Sequence, residues 1–174
     1  MYVIGEVMRN FIISVVALFA LIVMTGCGTK SSYVRMPGVK AVNYAEGFMV
    51  NQVEDLSNFQ FSPGDSDAFS LKGVMKAELE AELSKQGLIG EGYKVDVNIL
   101  AYSPGNAFAR WILPGFGATR LAAEALIKDK ESVVLAKVPV DRHISAGGGF
   151  TIGAYRYIFE EVAKEIVAVI KKQK

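Results

Sequence analysis

Few residues in this chain carry chemistry beyond folding. There is one cysteine, Cys27, and one histidine, His143. Without a second thiol Cys27 cannot close an intramolecular disulfide, so what it does depends on its context. His143 stands in Asp141-Arg142-His143. A single imidazole cannot build a multi-histidine metal site, and no Gly-x-Ser-x-Gly elbow offers it a nucleophile to activate. A surface or packed histidine is the expectation, since one titrating ring needs partners to be useful. Gly147-Gly148-Gly149-Phe150-Thr151-Ile152-Gly153 precedes a helix, where a phosphate could meet free backbone N–H groups. It lacks the Gly-Lys-Ser/Thr end of a P-loop and the spacing of a dinucleotide fingerprint, so a flexible turn is expected. Glu78, Glu80 and Glu82 fit a solvated helix face. No catalytic set, metal or cofactor is predicted.

The residues before Cys27 decide its chemistry. Met8-Arg9-Asn10 is a short positive start, Phe11 to Met24 is almost wholly apolar, and Thr25-Gly26 are small. That is the anatomy of a secretory signal peptide. Those fourteen residues fall short of the roughly 20 that span a bilayer comfortably. A core helix would show an apolar stripe, whereas this run is apolar all round. The ending Met24-Thr25-Gly26-Cys27 resembles the lipobox of bacterial lipoproteins, with Met24 where leucine is usual. The resemblance implies cleavage before Cys27 and acyl chains of the palmitate type on the new first residue. Glu6 offsets Arg9, so Met8 is the simpler start. Gly28 rather than aspartate follows the cysteine, and analogy with sorted lipoproteins then points to the outer membrane of a Gram-negative cell, facing the periplasm.

The expected division is therefore a signal peptide over 1–26, a lipidated tether over 27–40 and one domain over 41–174. Residues 27–174 are one ordinary domain in size. Losing Arg9 and Glu6 with the leader leaves the net charge at +1, with no basic footprint for nucleic acid. From Gly28 to Lys40 small, polar and turn-forming residues dominate, which reads as a flexible spacer.

Beyond the tether, Phe48-Met49-Val50 and Val53 mark a first strand within 45–55. Asp65, Ser66 and Asp67 are candidate caps for a helix over 69–86, whose Leu71, Val74, Met75, Leu79 and Leu83 fall at spacings of three and four. Tyr93 to Tyr102 alternates, with Tyr93, Val95, Val97, Ile99 and Ala101 on one face. Ala118–Lys128 and Val133–Ile144 alternate in turn and form a hairpin about Asp129–Ser132. Pro139 argues for an edge or a bulge. A final helix, capped by Thr151, carries Tyr155, Ile158, Phe159, Val162, Ile166, Val169 and Ile170 on one side. The order predicts an α+β two-layer sandwich: one antiparallel or mixed sheet of about four strands, with two helices on one face.

One stretch has no folding explanation of its own. Ser103 to Gly117 sets Phe108, Trp111, Ile112, Leu113 and Phe116 among turn formers. Either Ala107–Leu113 is another core strand, or Phe108, Arg110, Trp111 and Phe116 form an exposed patch for a partner or membrane. Burial or exposure of Trp111 discriminates the two.

Gly105-Asn106-x-x-x-Arg110-Trp111, Pro114-Gly115-x-Gly117-Ala118, the charged hairpin and Gly147-Gly148-Gly149-Phe150 before a final helix together resemble a domain-of-unknown-function family of bacterial lipoproteins. The likeness spans roughly 39–171. It implies an exported, lipid-anchored domain without assigned activity or catalytic residues. The element order is more distantly similar to the periplasmic lipoproteins of curli secretion, which oligomerise at the outer membrane; that is fold-level analogy. The expectation is a non-enzymatic envelope lipoprotein that binds a protein partner or a second copy of itself. The alternative is an envelope enzyme or small-ligand binder using the 147–153 loop.

Overall fold

The computed structural model describes residues 27–64, 69–112, 116–145 and 153–173. Six strands form one mixed sheet: β1 (Cys27–Ser31), β2 (Val34–Arg35), β3 (Phe48–Asp55), β4 (Tyr93–Ser103), β5 (Thr119–Lys128) and β6 (Val134–Ile144). Helices α1 (Leu71–Lys85) and α3 (Ala154–Lys171) pack on it, and a short helix α2 (Ala107–Ile112) interrupts the path from β4 to β5. The order across the sheet is β1-β6-β5-β4-β3, with β2 also on β6; β3 and β4 run parallel and the other pairs antiparallel.

The two-layer α+β prediction holds, with more strands than expected. Val95, Val97 and Ile99 of β4, Leu121, Ala123, Ala125 and Ile127 of β5, and Ala136, Val138 and Val140 of β6 are buried in alternation. Leu71, Met75, Leu79 and Leu83 of α1 meet them beside β3, and Ile158, Phe159, Val162, Ile166 and Ile170 of α3 cover β5 and β6. Both helices lie on one face and touch each other. Ser70 caps α1, its hydroxyl accepting from Gly73 N at 3.0 Å. The predicted caps Asp65, Ser66 and Asp67 lie outside the described residues, as does Thr151; Gly153 occupies the cap position of α3.

Four details differ from the sequence reading. The expected tether is sheet: Cys27–Ser31 pairs with Val140–Ile144, and Val34–Arg35 with Ala136–Lys137. Together they make a broken edge strand along β6. The break sits at Pro139, whose carbonyl accepts from Ser32 N at 3.3 Å and whose missing N–H faces that same outer side. β6 is thus an interior strand, and Pro139 lies neither on an edge strand nor at a bulge, the two places expected of it; it is tolerated because the neighbouring strand is interrupted opposite it. In β4 a bulge between Ile99 and Ala101 turns Leu100 outward and brings Tyr102, not Ala101, into the core. Finally, residues 107–112 are helix, not a core strand.

Candidate functional site

The β4–β5 excursion is held shut at its base by two left-handed glycines, Gly105 at φ +68° and Gly117 at φ +65°. A Cβ on Gly117 would lie 2.5 Å from the Asn106 carbonyl oxygen, and one on Gly105 would strike the Gly117 carbonyl. Asn106 N donates to Gly117 O at 2.9 Å, and the Asn106 side chain accepts from Ala109 N at 3.0 Å, opening α2. The buried Thr119 hydroxyl donates to Pro104 O at 2.7 Å. From this closed stalk Phe108, Ile112 and Phe116 stand 69%, 50% and 65% exposed. Arg110 and Trp111 belong to α2, and their side chains lie outside the described residues, so the Trp111 discriminator stays open.

Beneath the excursion is a rigid aromatic platform. Tyr102, inward by virtue of the β4 bulge, packs edge-on to Phe59 at 4.9 Å and against Phe159 at 5.4 Å, while Phe69 meets Phe159 edge-on at 5.7 Å. The Tyr102 hydroxyl donates to Tyr155 O at 2.6 Å, and burial pushes its phenol well above the ordinary range.

Cys27 opens β1 opposite Ile144, which in turn lies opposite Thr119. His143 is on the uncovered face of the sheet, its ring over Gly28, whose lack of a Cβ makes the room. The neighbouring carboxylate, Asp141, is taken by Arg120 Nε and Nη2 at 3.0 and 2.7 Å, and that pairing holds it below the usual carboxylate range. It is therefore already committed rather than free to orient His143. The same face carries Lys128–Asp96 at 2.6 Å, with Asn51 donating to Asp96 at 2.8 Å, and Lys137–Glu124 at 3.5 Å. Around Leu100, Ala122 and Pro139 it forms an open depression of about 360 Å³. Residues 147–152 of the glycine loop lie outside the described residues. Among the described residues no cluster of three or more potential metal ligands occurs.

A polar cluster escaped the sequence reading. Arg142 points to the helix side of the sheet, between the Thr29 hydroxyl and Glu161 of α3, whose Oε2 is 2.9 Å away. Burial alone would raise the Glu161 carboxyl, but hydrogen bonds from Tyr157 (2.7 Å) and Lys164 (3.2 Å) and the charges of Lys164 and Arg142 bring it below its ordinary value. Ser31 reaches Glu165 at 2.5 Å. Among the described residues Arg142 Nε finds no acceptor. Alternation was the available signal: Val138, Val140, Arg142 and Ile144 share one face, so Asp141-Arg142-His143 straddles the sheet.

The model of a family described as a domain of unknown function, DUF4410, matches residues 46–148, more than half of the chain. No curated protein matches. Among solved structures the chain is similar to a PelC dodecamer from Paraburkholderia phytofirmans (9% identity, 80% of this chain and 96% of that one, TM-score 0.42). It is also similar to a DUF330 protein from Xanthomonas campestris (15%, 75% and 91%, TM-score 0.43). A third is a minor lipoprotein from Acinetobacter baumannii (12%, 70% and 92%, TM-score 0.34).

Proposed function

Because the chain belongs to the DUF4410 family, which brings no activity with it, we propose that the protein is a lipid-anchored component of the bacterial cell envelope whose work is binding or assembly. The observation that carries this reading is the run from Met8 to Cys27: a positive start, an apolar segment too short to span comfortably, two small residues and the chain's only thiol. Cleavage before Cys27 leaves that residue as the amino terminus, and β1 begins there. Gly28 in second place supports an outer-membrane location, facing the periplasm, by analogy with sorted lipoproteins. The folded part then runs from Cys27 rather than residue 41. Phe108, Arg110, Trp111 and Phe116 are the surface offered for contact, with the outer edge of the sheet at β3 a second place where another copy could add.

The test is Cys27→Ser in the full chain, expressed in a Gram-negative host. The parent chain fractionates with membranes, lacks residues 1–26 and carries acyl mass on Cys27; the variant keeps its leader or leaves the membrane fraction. A parent chain with a free thiol, or with residues 8–26 still attached, overturns the proposal.

A further inference from the structure

We infer that the end of the sheet bearing Cys27 is a membrane-contact face, with the 104–118 excursion lying among lipid headgroups and upper acyl chains. This rests on the reading of the Met8–Cys27 run as the membrane attachment. The register sets the geometry. Cys27 faces Ile144, Ile144 faces Thr119, and Arg120 faces Ser103, so β1 starts, β6 ends, β5 starts and β4 ends in one row. At about 4.8 Å per strand, Cys27 stands roughly 10 Å from Thr119, the foot of the excursion.

Two observations make lipid the occupant. First, Cys27 is itself part of β1, and Cys27–Ser31 is paired residue by residue with β6. There is no spacer to lift the domain off the surface to which residue 27 is attached, so whatever projects from this end must meet the bilayer. Attachment by acyl chains or by the apolar run over 11–24 leads to the same orientation, because both leave the fold through the start of β1. Second, what projects is apolar. Phe108 and Phe116 are the most exposed of the large apolar side chains among the described residues, and Ile112 stands with them. Leu56, just past β3, and Tyr157, in the first turn of α3, are exposed at the same end. The far end is mixed in character: Asp129, Lys130 and Glu131 form its hairpin turn and Lys171 and Lys172 close α3, with Ile89 and Val133 exposed singly among them. Aromatic rings on a fixed stalk suit the interfacial zone, where apolar bodies are buried without spanning.

The chain holds its own reporter, since Trp111 is its only tryptophan and lies in α2. The full chain, purified from membranes, is reconstituted into vesicles of phosphatidylethanolamine and phosphatidylglycerol containing lipid brominated high in the acyl chain. The expected result is flotation with the vesicles and bromine quenching of Trp111 emission. A Phe108→Ser/Phe116→Ser double variant still floats, held by Cys27, but loses the quenching. Flotation of the parent chain with unquenched emission overturns the inference and leaves the anchor standing. If that emission is open to aqueous acrylamide, the end faces water; if it is shielded from both quenchers, Trp111 is packed inside the protein and this end does not enter the bilayer. A parent chain that fails to float sinks both readings together.

Discussion

Among the described residues, the charges drawn into the fold are few and each has a partner. Glu161 receives Arg142, Tyr157 and Lys164, and Asp96 receives Lys128 and Asn51. Both carboxyls, with Asp141, are held below their ordinary values in the fold. A carboxyl with a lowered folded value stabilises the fold above its unfolded pKa and loses that contribution as pH falls through the folded one. The window therefore opens at the ordinary carboxylate range near pH 4 and extends downward. Glu161→Gln removes the charge while keeping the shape, and leaves Arg142 facing an amide. It should cost roughly 1.5–3 kcal/mol at neutral pH, the scale of a hydrogen bond to a charged group. Because acid protonates the parent chain as well, the gap should close as pH falls through that window. Urea titrations of both proteins at several pH values check this; a gap independent of pH would show that Glu161 acts through packing alone.

At the scale of elements, what was readable is what burial dictates. The spacing of Leu71, Met75, Leu79 and Leu83 and the alternation from Tyr93 to Ile99 each have one physical reading, an apolar face against a core. The edge was not readable for the converse reason. β1 and β2 border solvent, so Thr29, Ser31 and Arg35 need not be apolar, and a polar edge strand has the composition of a linker. The excursion failed differently, because the eight residues between Gly105 and the Pro114–Gly115 pair are too few to tell helix from strand. Its proposed contact patch was visible as apolar residues without a periodic reason to be there. What the residues did not reveal is how tightly the patch is held. Gly117→Ala puts a side chain at φ +65° and against the Asn106 carbonyl, which should cost about 1–2 kcal/mol from the left-handed backbone alone. Hydrogen exchange at Asn106 and Ala109 should quicken while β5 and β6 stay protected; unchanged exchange at the stalk would mean that the glycines do not hold it.

For the whole molecule, the consequential fact is that the chain's first strand is tied to its last helix. Ser31 meets Glu165, and Arg142 links Thr29 to Glu161, so β1 is fastened both to the β6 ladder and to α3. A lipid on Cys27 would then pull on the fold itself rather than on a slack leader, and the domain's orientation would follow from its sheet. The same tie predicts that β1 is part of the cooperative unit. Removing residues 27–33 strips the outer ladder from half of β6 and leaves Val140 and Ile144 without their edge neighbour. At about 1 kcal/mol for each lost ladder bond, the truncated domain should be less stable by about 3 kcal/mol or more. Its unpaired β6 edge should also recruit a second copy. Urea unfolding and sedimentation read the two consequences together. A truncated domain that stays monomeric with an unchanged midpoint would make β1 a passenger on the sheet, free to act as the spacer that its composition suggests.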